Sequence, residues 1–453
     1  MDPIHVLRGH LGDVQSLSYL SEDHLYAGDS RGDLRLWDLA SCRTEYTARL
    51  HDANSGILHL ACLPDYGILL SQGRDGCVKL WAAGRTCALD RPTPLQEIRT
   101  GSFNFCRCAV WAPALDSPGG TSGPQALDSR PAAAAAAVGP AHSLVSGLAG
   151  DPRDLLVACA GHDPADVNVW RPAEAPSIST RLRLSEGINS GAETNHGMCM
   201  ALAFLSPSPA PSHCETGMGT SESSRSDLEP LDEQDISTCG GGDVDSGGNK
   251  GAASDPRFII AGYEDGVVAL WDLRKPGRPL GSLRAHTEPV MCLDVRARVQ
   301  GRSKGKGGAA LQAGRENDDA TELYDLVSGS ADDKISCCEV RPGAPQPVTL
   351  TRQVQLREGG TSDVRIRRDG KLFACGCWDG RVRLFSVRRR EPLAVLKYHR
   401  SHVTAVAFSL ETNQLASASR DGTIALWSVY SSTSAATTAL RQRESSSVSA
   451  GGV

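Results

Sequence analysis

Asp421–Trp427 reads DGTIALW, an Asp-Gly turn followed by alternating apolar positions that end on Trp. An Asp-Gly pair ahead of a run with period two marks a tight turn feeding a strand. The block returns at Asp75–Trp81 (DGCVKLW) and at Asp265–Trp271 (DGVVALW, with Asp272 next). Weaker copies end at Trp37 with Asp38, at Trp170, at Cys338 and at Phe385, which makes seven in all. A unit of roughly 40 residues built this way is one small sheet that cannot bury its own faces. Arraying such sheets around an axis covers them, so the sequence predicts an all-β, seven-bladed β-propeller.

The other end of the repeat agrees. A His stands four residues before a buried-type position at His10 and Val14, His286 and Val290, and His399 and Val403, with Gly9 completing a Gly-His pair. Gly-His at one end and Trp-Asp at the other resembles the WD40 repeat. In that family the His, the turn Asp and the Trp share one hydrogen-bonded network, which makes them structural rather than catalytic. The aligned turn position is Arg31 in the first blade and Pro164 in the third, and the third and sixth blades lack a clear His. Those blades are expected to be the loosest.

Each outer strand comes from the stretch before the next His, as in PLGSLRAH ending at His286 and PLAVLKYH ending at His399. Ile4–Leu7 is similar but has no blade before it, and no such stretch follows Trp427. The N-terminal strand is therefore expected to pair with the last blade and close the ring, which removes sheet edges open to aggregation. The propeller is placed at residues 1–430 and a disordered tail at 431–453.

With 453 residues, 40% apolar content and a net charge of −6, the chain reads as one large soluble domain with no membrane-spanning run. The first 20 residues carry His, Arg and Asp among the apolar positions, so no signal peptide is read. Fifteen Cys, an odd number, with no Asn-x-Ser/Thr sequon point to a reducing compartment. Cys106 with Cys108 and Cys375 with Cys377 are spaced so that, in a strand, each pair shares a face. Packed thiols, and no metal site, are expected of them, since zinc needs wider spacing and a second pair.

Insertions interrupt three repeats at about 112–153, 206–256 and 298–322. Their Pro, Gly, Ser and Ala content without apolar periodicity predicts disorder. Each falls between a first strand (FCRCAVW, MCMALAF, VMCLDV) and a second (DLLVACA, RFIIAG, YDLVSGS). All three are thus expected to leave blades three, four and five on the face opposite the His–Asp network. The middle one is acidic, with Glu222, Asp227, Glu229, Asp232, Glu233 and Asp235; the last is basic, with Arg296, Arg298, Arg302, Lys304 and Lys306. Ser224 and Ser226 each precede an acid by three residues and suit an acid-directed kinase.

Catalytic patterns fail on context. Gly28–Gly32 matches G-x-S-x-G, but it lies in a turn with no strand-to-helix elbow. Gly301–Lys306 is a poor phosphate loop, with Gly307 where Ser or Thr is required. Arg365–Arg368 and Arg388–Arg390 are short and lack interleaved aromatics, so no direct nucleic-acid binding is expected, although they leave room for a weak nuclear-import signal. No catalytic residue and no cofactor is assigned.

What remains is a binding surface. On the His–Asp face the residue before each turn Asp points to the rim of the central opening: Arg74, Glu264, Trp378 and Arg420, with Tyr263 beside them. Trp, Tyr and Arg are the side chains enriched in interface hot spots, which makes these five the candidate partner-binding residues. The competing reading for Trp378 is partial burial against the neighbouring blade.

The stretches LLSQGRDGCVKLW (69–81), AGYEDGVVALWD (261–272), EPVMCLDV (288–295), CGCWDGRVRLF (375–385) and REPLAVLKYHRSHVTAVAFS (390–409) resemble the G-protein beta-subunit-like protein 1 / ASTRA-associated protein 1 family. The resemblance covers the seven blades and departs at the insertions and the tail. It implies a non-enzymatic adaptor working with the TTT co-chaperone (the Tel-Tti proteins) in maturation of phosphatidylinositol-3-kinase-like kinases, hence in DNA-damage signalling, with a link to chromatin and a place in nucleus and cytoplasm. A G-protein gamma subunit is not an expected partner, because only nine residues precede His10 and gamma binding needs an N-terminal helix. Trp271-Asp272-Leu273-Arg274 also fits the W-D-x-R signature of cullin-4 substrate receptors, the alternative function.

Overall fold

The second strand of a repeat is buried on both its faces: every residue of Ile68–Gly73, Phe258–Tyr263 and Leu372–Cys377 is shielded from solvent. Period-two burial against one layer cannot produce this, so each sheet must be sandwiched between two others. The computed structural model describes residues 2–52, 55–83, 89, 93–103, 105–113, 151–172, 177–183, 196–206, 255–298, 322–412 and 414–429. The disorder expected of most of the insertions and of the tail, and the sites at Ser224 and Ser226, lie outside the described residues.

The described strands form seven four-stranded antiparallel sheets. β1 (His5–Arg8) precedes blade one, which is β2 (Val14–Tyr19), β3 (His24–Asp29), β4 (Asp33–Asp38) and β5 (Arg43–Arg49). Blade two is β6 (Ile57–Leu63), β7 (Ile68–Gly73), β8 (Cys77–Ala82) and β9 (Gln96–Arg99). Blade three is β10 (Ala109–Trp111), β11 (Leu156–Ala160), β12 (Val167–Arg171) and β13 (Ser177–Leu182). Blade four is β14 (Cys199–Leu205), β15 (Phe258–Tyr263), β16 (Val267–Asp272) and β17 (Gly281–Arg284). Blade five is β18 (Val290–Ala297), β19 (Tyr324–Ser330), β20 (Lys334–Val340) and β21 (Val348–Gln355). Blade six is β22 (Thr361–Ile366), β23 (Leu372–Cys377), β24 (Arg381–Ser386) and β25 (Pro392–Lys397). Blade seven takes β26 (Val403–Phe408), β27 (Gln414–Ser419) and β28 (Thr423–Ser428), and its outer strand is β1.

Ring closure follows the sequence reading, one residue further along. His5 to Arg8 pair with Leu426 to Thr423, and the Ile4 N–H donates to the Leu426 carbonyl at 2.7 Å. Leu7, 1% exposed, is the side chain that β1 contributes to the core. The insertions fall where expected, between β10 and β11, β14 and β15, and β18 and β19. Arg298, read as part of the basic insertion, is instead held at the end of its blade by ion pairs to Asp325 and Glu339.

The core is split into seven apolar clusters, each built from two adjacent blades. Cys375 and Cys377 share one cluster, as their spacing predicts. Cys106 and Cys108 do not: Cys106 packs with Cys199, the sulfurs 3.9 Å apart, and Cys108 joins the cluster of Cys159. Both cysteines precede β10, which begins at Ala109, so strand alternation does not govern which side each faces.

Trp271, 0% exposed, fills the seam between blades three and four. Trp271→Ala is expected to cost about 3–5 kcal/mol, the range for deleting a buried aromatic. Urea unfolding of the two proteins side by side measures it, and an unchanged midpoint would contradict this packing.

Candidate functional site

The face bearing the turns is held by buried polar networks. In blade two the Trp81 indole N–H donates to Ser71 Oγ (2.9 Å), Ser71 meets His51 Nε2 (2.8 Å), and His51 Nδ1 meets Asp75 (2.8 Å). Asp75 closes the chain by accepting the Cys77 N–H at 3.0 Å. Blade seven repeats it with Trp427, Ser417, His399 and Asp421, where Thr423 takes part of the His399 contact. Blade five keeps Ser328, His286 and Asp332, and Cys338 replaces the Trp. Blade four pairs His196 with Asp265 at 2.7 Å. In blades two and seven the Trp, Ser, His and Asp of the chain partner one another, which gives each a structural use.

Two blades that depart from the repeat reach the same end differently. Blade one has Arg31 at the turn, and Asp29, two positions earlier, takes over: it meets His10 at 3.1 Å and accepts the N–H groups of Arg31 and Asp33. Blade six, expected to be loose for want of a His, instead binds Asp379 through two hydrogen bonds from Arg383, at 2.9 and 2.6 Å. Both side chains are nearly buried, so this is a short charge-assisted pair in place of the His. Ser30, the Ser of the G-x-S-x-G match, is occupied in accepting the Asp13 N–H at 3.1 Å.

Of the five predicted rim residues, Arg74, Glu264 and Arg420 are exposed and Trp378 is half-buried. Tyr263 is a correction: it is 0% exposed, in the seam between blades three and four with its ring 5.8 Å from that of His196. It is the last residue of β15, a strand buried on both faces, whereas Glu264 is the first residue past it, in the turn. Trp378 stacks on His402 at 5.7 Å and 5°, over Gly360, where a Cβ would come within 2.0 Å of the indole. The Arg420 N–H donates to the His402 carbonyl at 3.0 Å, so His402 brings Trp378 and Arg420 together. Burial, then the Arg420 charge, lowers the His402 pKa. Glu264 accepts the Met198 N–H on blade four.

Arg74 has company that sequence reasoning missed. Its guanidinium lies 5.2 Å from the Phe105 ring, a cation–π contact. Phe105 is 58% exposed and Phe103, against the blade-two turn at Gly76, is 74% exposed. The signal was two Phe in a loop, where side chains with no packing role are usually polar. Opposite this face runs a central channel of about 560 Å³ lined by the first strands.

The fold and its turn networks define a WD40-repeat propeller, a class that typically serves as a non-enzymatic scaffold. The model of the WD domain, G-beta repeat, matches residues 1–38, 42–82, 353–386 and 390–428. The chain is similar to guanine nucleotide-binding protein subunit beta-like protein 1 of Mus musculus, 26% identical over 434 residues that cover 94% of this chain and 96% of that protein. It is similar also to ASTRA-associated protein 1 of Schizosaccharomyces pombe, 24% identical with 94% and 99% covered, and of Verticillium alfalfae, 24% identical with 93% and 83% covered. The chain is thus a WD40 scaffold related over most of its length to these proteins, at modest identity.

The turn networks predict acid sensitivity. Burial lowers the His286 pKa from 6.5 despite the Asp332 charge. Burial pulls the Asp75 carboxyl up, but the bond and charge of His51 outweigh it and leave it lowered; Asp29 and Asp379 follow with His10 and Arg383. Each folded pKa lies below its unfolded value, so the unfolded chain takes up more protons as pH falls. Stability is expected to decline below about pH 6.5 as His286 is forced to charge, and faster below about pH 4 as the carboxylates are protonated. Urea midpoints across that range check this, and Asp75→Asn should flatten the lower limb; an identical limb in the variant is the contrary result.

Proposed function

We propose that this chain is a non-enzymatic adaptor that works with the TTT co-chaperone in maturing phosphatidylinositol-3-kinase-like kinases, in nucleus and cytoplasm. Similarity over nearly the whole chain to proteins named as ASTRA-associated carries the reading. The exposed cluster of Arg74, Phe103 and Phe105 on the turn face is aromatic and cationic, the chemistry of protein hot spots. Partners dock there around Arg74, Phe103 and Phe105, with Glu264, Trp378 and Arg420 as the wider rim. The cullin-4 alternative draws no support from the relatives. Its Arg274 folds back on Asp272, whose carboxylate accepts the Arg274 N–H at 2.9 Å and its Nε at 3.3 Å, so the W-D-x-R match has a local structural use.

Affinity purification of the full chain from cells tests the assignment. Wild type should recover the Tel-Tti proteins and a kinase client, and Arg274→Ala should recover them equally. Phe103→Ser with Phe105→Ser and Arg74→Ala should leave the melting temperature unchanged while weakening that recovery by about 2 kcal/mol or more, the scale of a lost hot spot. Normal recovery by the triple variant moves the docking site elsewhere; loss of a cullin-4 adaptor on Arg274→Ala replaces the function.

A further inference from the structure

The channel is crossed by one side chain. Arg107 reaches from blade three to the Thr404 carbonyl at 2.7 Å, the Gln15 carbonyl at 3.3 Å and the Asp363 carboxylate at 3.0 Å, which belong to blades seven, one and six. Asp363 also accepts the Val406 N–H at 2.9 Å and lies 3.6 Å from Arg365. Asp294 accepts the Ile366 and Val295 N–H groups beside them. Arg107 and Arg365 are therefore balanced by Asp363 and Asp294.

Toward the end from which the insertions leave, the balance fails. Arg296, near the end of β18, and Arg368, just past β22, line the same cavity, and neither has a carboxylate within 4.0 Å among the described residues. The nearby Asp369 is already held by Arg367 at 2.7 Å. Burial pushes the Arg296 pKa down; the charges of Asp369 and Asp294 act against it, and Arg368 adds to it. His59 also lines the cavity; it is 9% exposed, and its Nδ1 has no hydrogen-bond partner. Burial and the charges of Arg365 and Arg107 keep this imidazole neutral.

We infer that the channel mouth binds a small phosphate-bearing polyanion, held by Arg296 and Arg368 and reaching toward His59. Each guanidinium fork engages a pair of oxygens, and a phosphate group carries enough oxygens to accept from both Arg296 and Arg368, whereas the two oxygens of a carboxylate are filled by one fork. A volume of about 560 Å³ suits a small molecule rather than a chain segment. The site lies on the face away from Arg74 and Phe105 and stands independently of the adaptor role.

Calorimetry of the full chain with sodium tripolyphosphate, against citrate at matched ionic strength, tests it. Tripolyphosphate should bind with Kd below about 100 μM, and citrate about tenfold more weakly or worse. Arg296→Gln with Arg368→Gln should weaken tripolyphosphate at least about tenfold, and should hold or raise the melting temperature of the free protein, since like charges are removed. If the double variant is poorly folded, Arg368→Ala alone carries the test, as this exposed side chain has no packing role. No heat at about 1 mM tripolyphosphate, equal binding of citrate, or equal binding by the folded variant overturns the site.

Discussion

A four-stranded sheet with two apolar faces cannot persist in water, and that constraint dictates the rest of this molecule. Each of the seven core clusters draws on two blades and none on one alone. The side chains at a seam therefore stabilise two blades at once, and an unfilled seam would expose both. Closing the circle with β1 puts the first described strand beside the last, so blade seven depends on residues more than 400 positions away. Such long-range pairing is slow to form, because loop-closure entropy must be overcome before any contact compensates it.

Within that ring the turns solve one problem by several routes. A tight turn leaves backbone N–H groups that need an acceptor, and a carboxylate supplies it; the carboxylate, once half-buried, needs a donor in turn. His51 serves Asp75, Arg383 serves Asp379, and His10 serves Asp29. The blade-one solution explains a glycine in blade two. A Cβ at Gly73, the position that matches Asp29, would come within 2.3 Å of His51 Nδ1, so only one of the two arrangements fits in a given blade.

The repeats were legible because turn Asp, glycine and Trp recur at fixed spacing, and β1 because its pattern lacked a blade of its own. The insertions could be placed because strands flank them. Tyr263 was misread because it ends a strand buried on both faces, so proximity to a rim residue in the turn says nothing about its exposure. The Cys106–Cys108 pair failed because the strand expected to carry it begins only at Ala109. The Arg107–Asp363 strut was illegible for another reason: its ends are 256 positions apart, and only closure of the ring brings them together.

The same closure limits how partners can be recognised. The turn N–H groups are already bound, and the outer edge of blade one carries charge: β5 alternates exposed Arg43, Glu45, Thr47 and Arg49 along its length. That charged edge resists the addition of a strand, and a main-chain mode of peptide capture is disfavoured there. Recognition must then come from side chains standing on rigid loops. Arg74 held against Phe105, and Trp378 held against His402, lose little freedom when a partner arrives, because each is already ordered by the contact beneath it. Pre-ordered side chains of this kind give affinity through the entropy they do not lose.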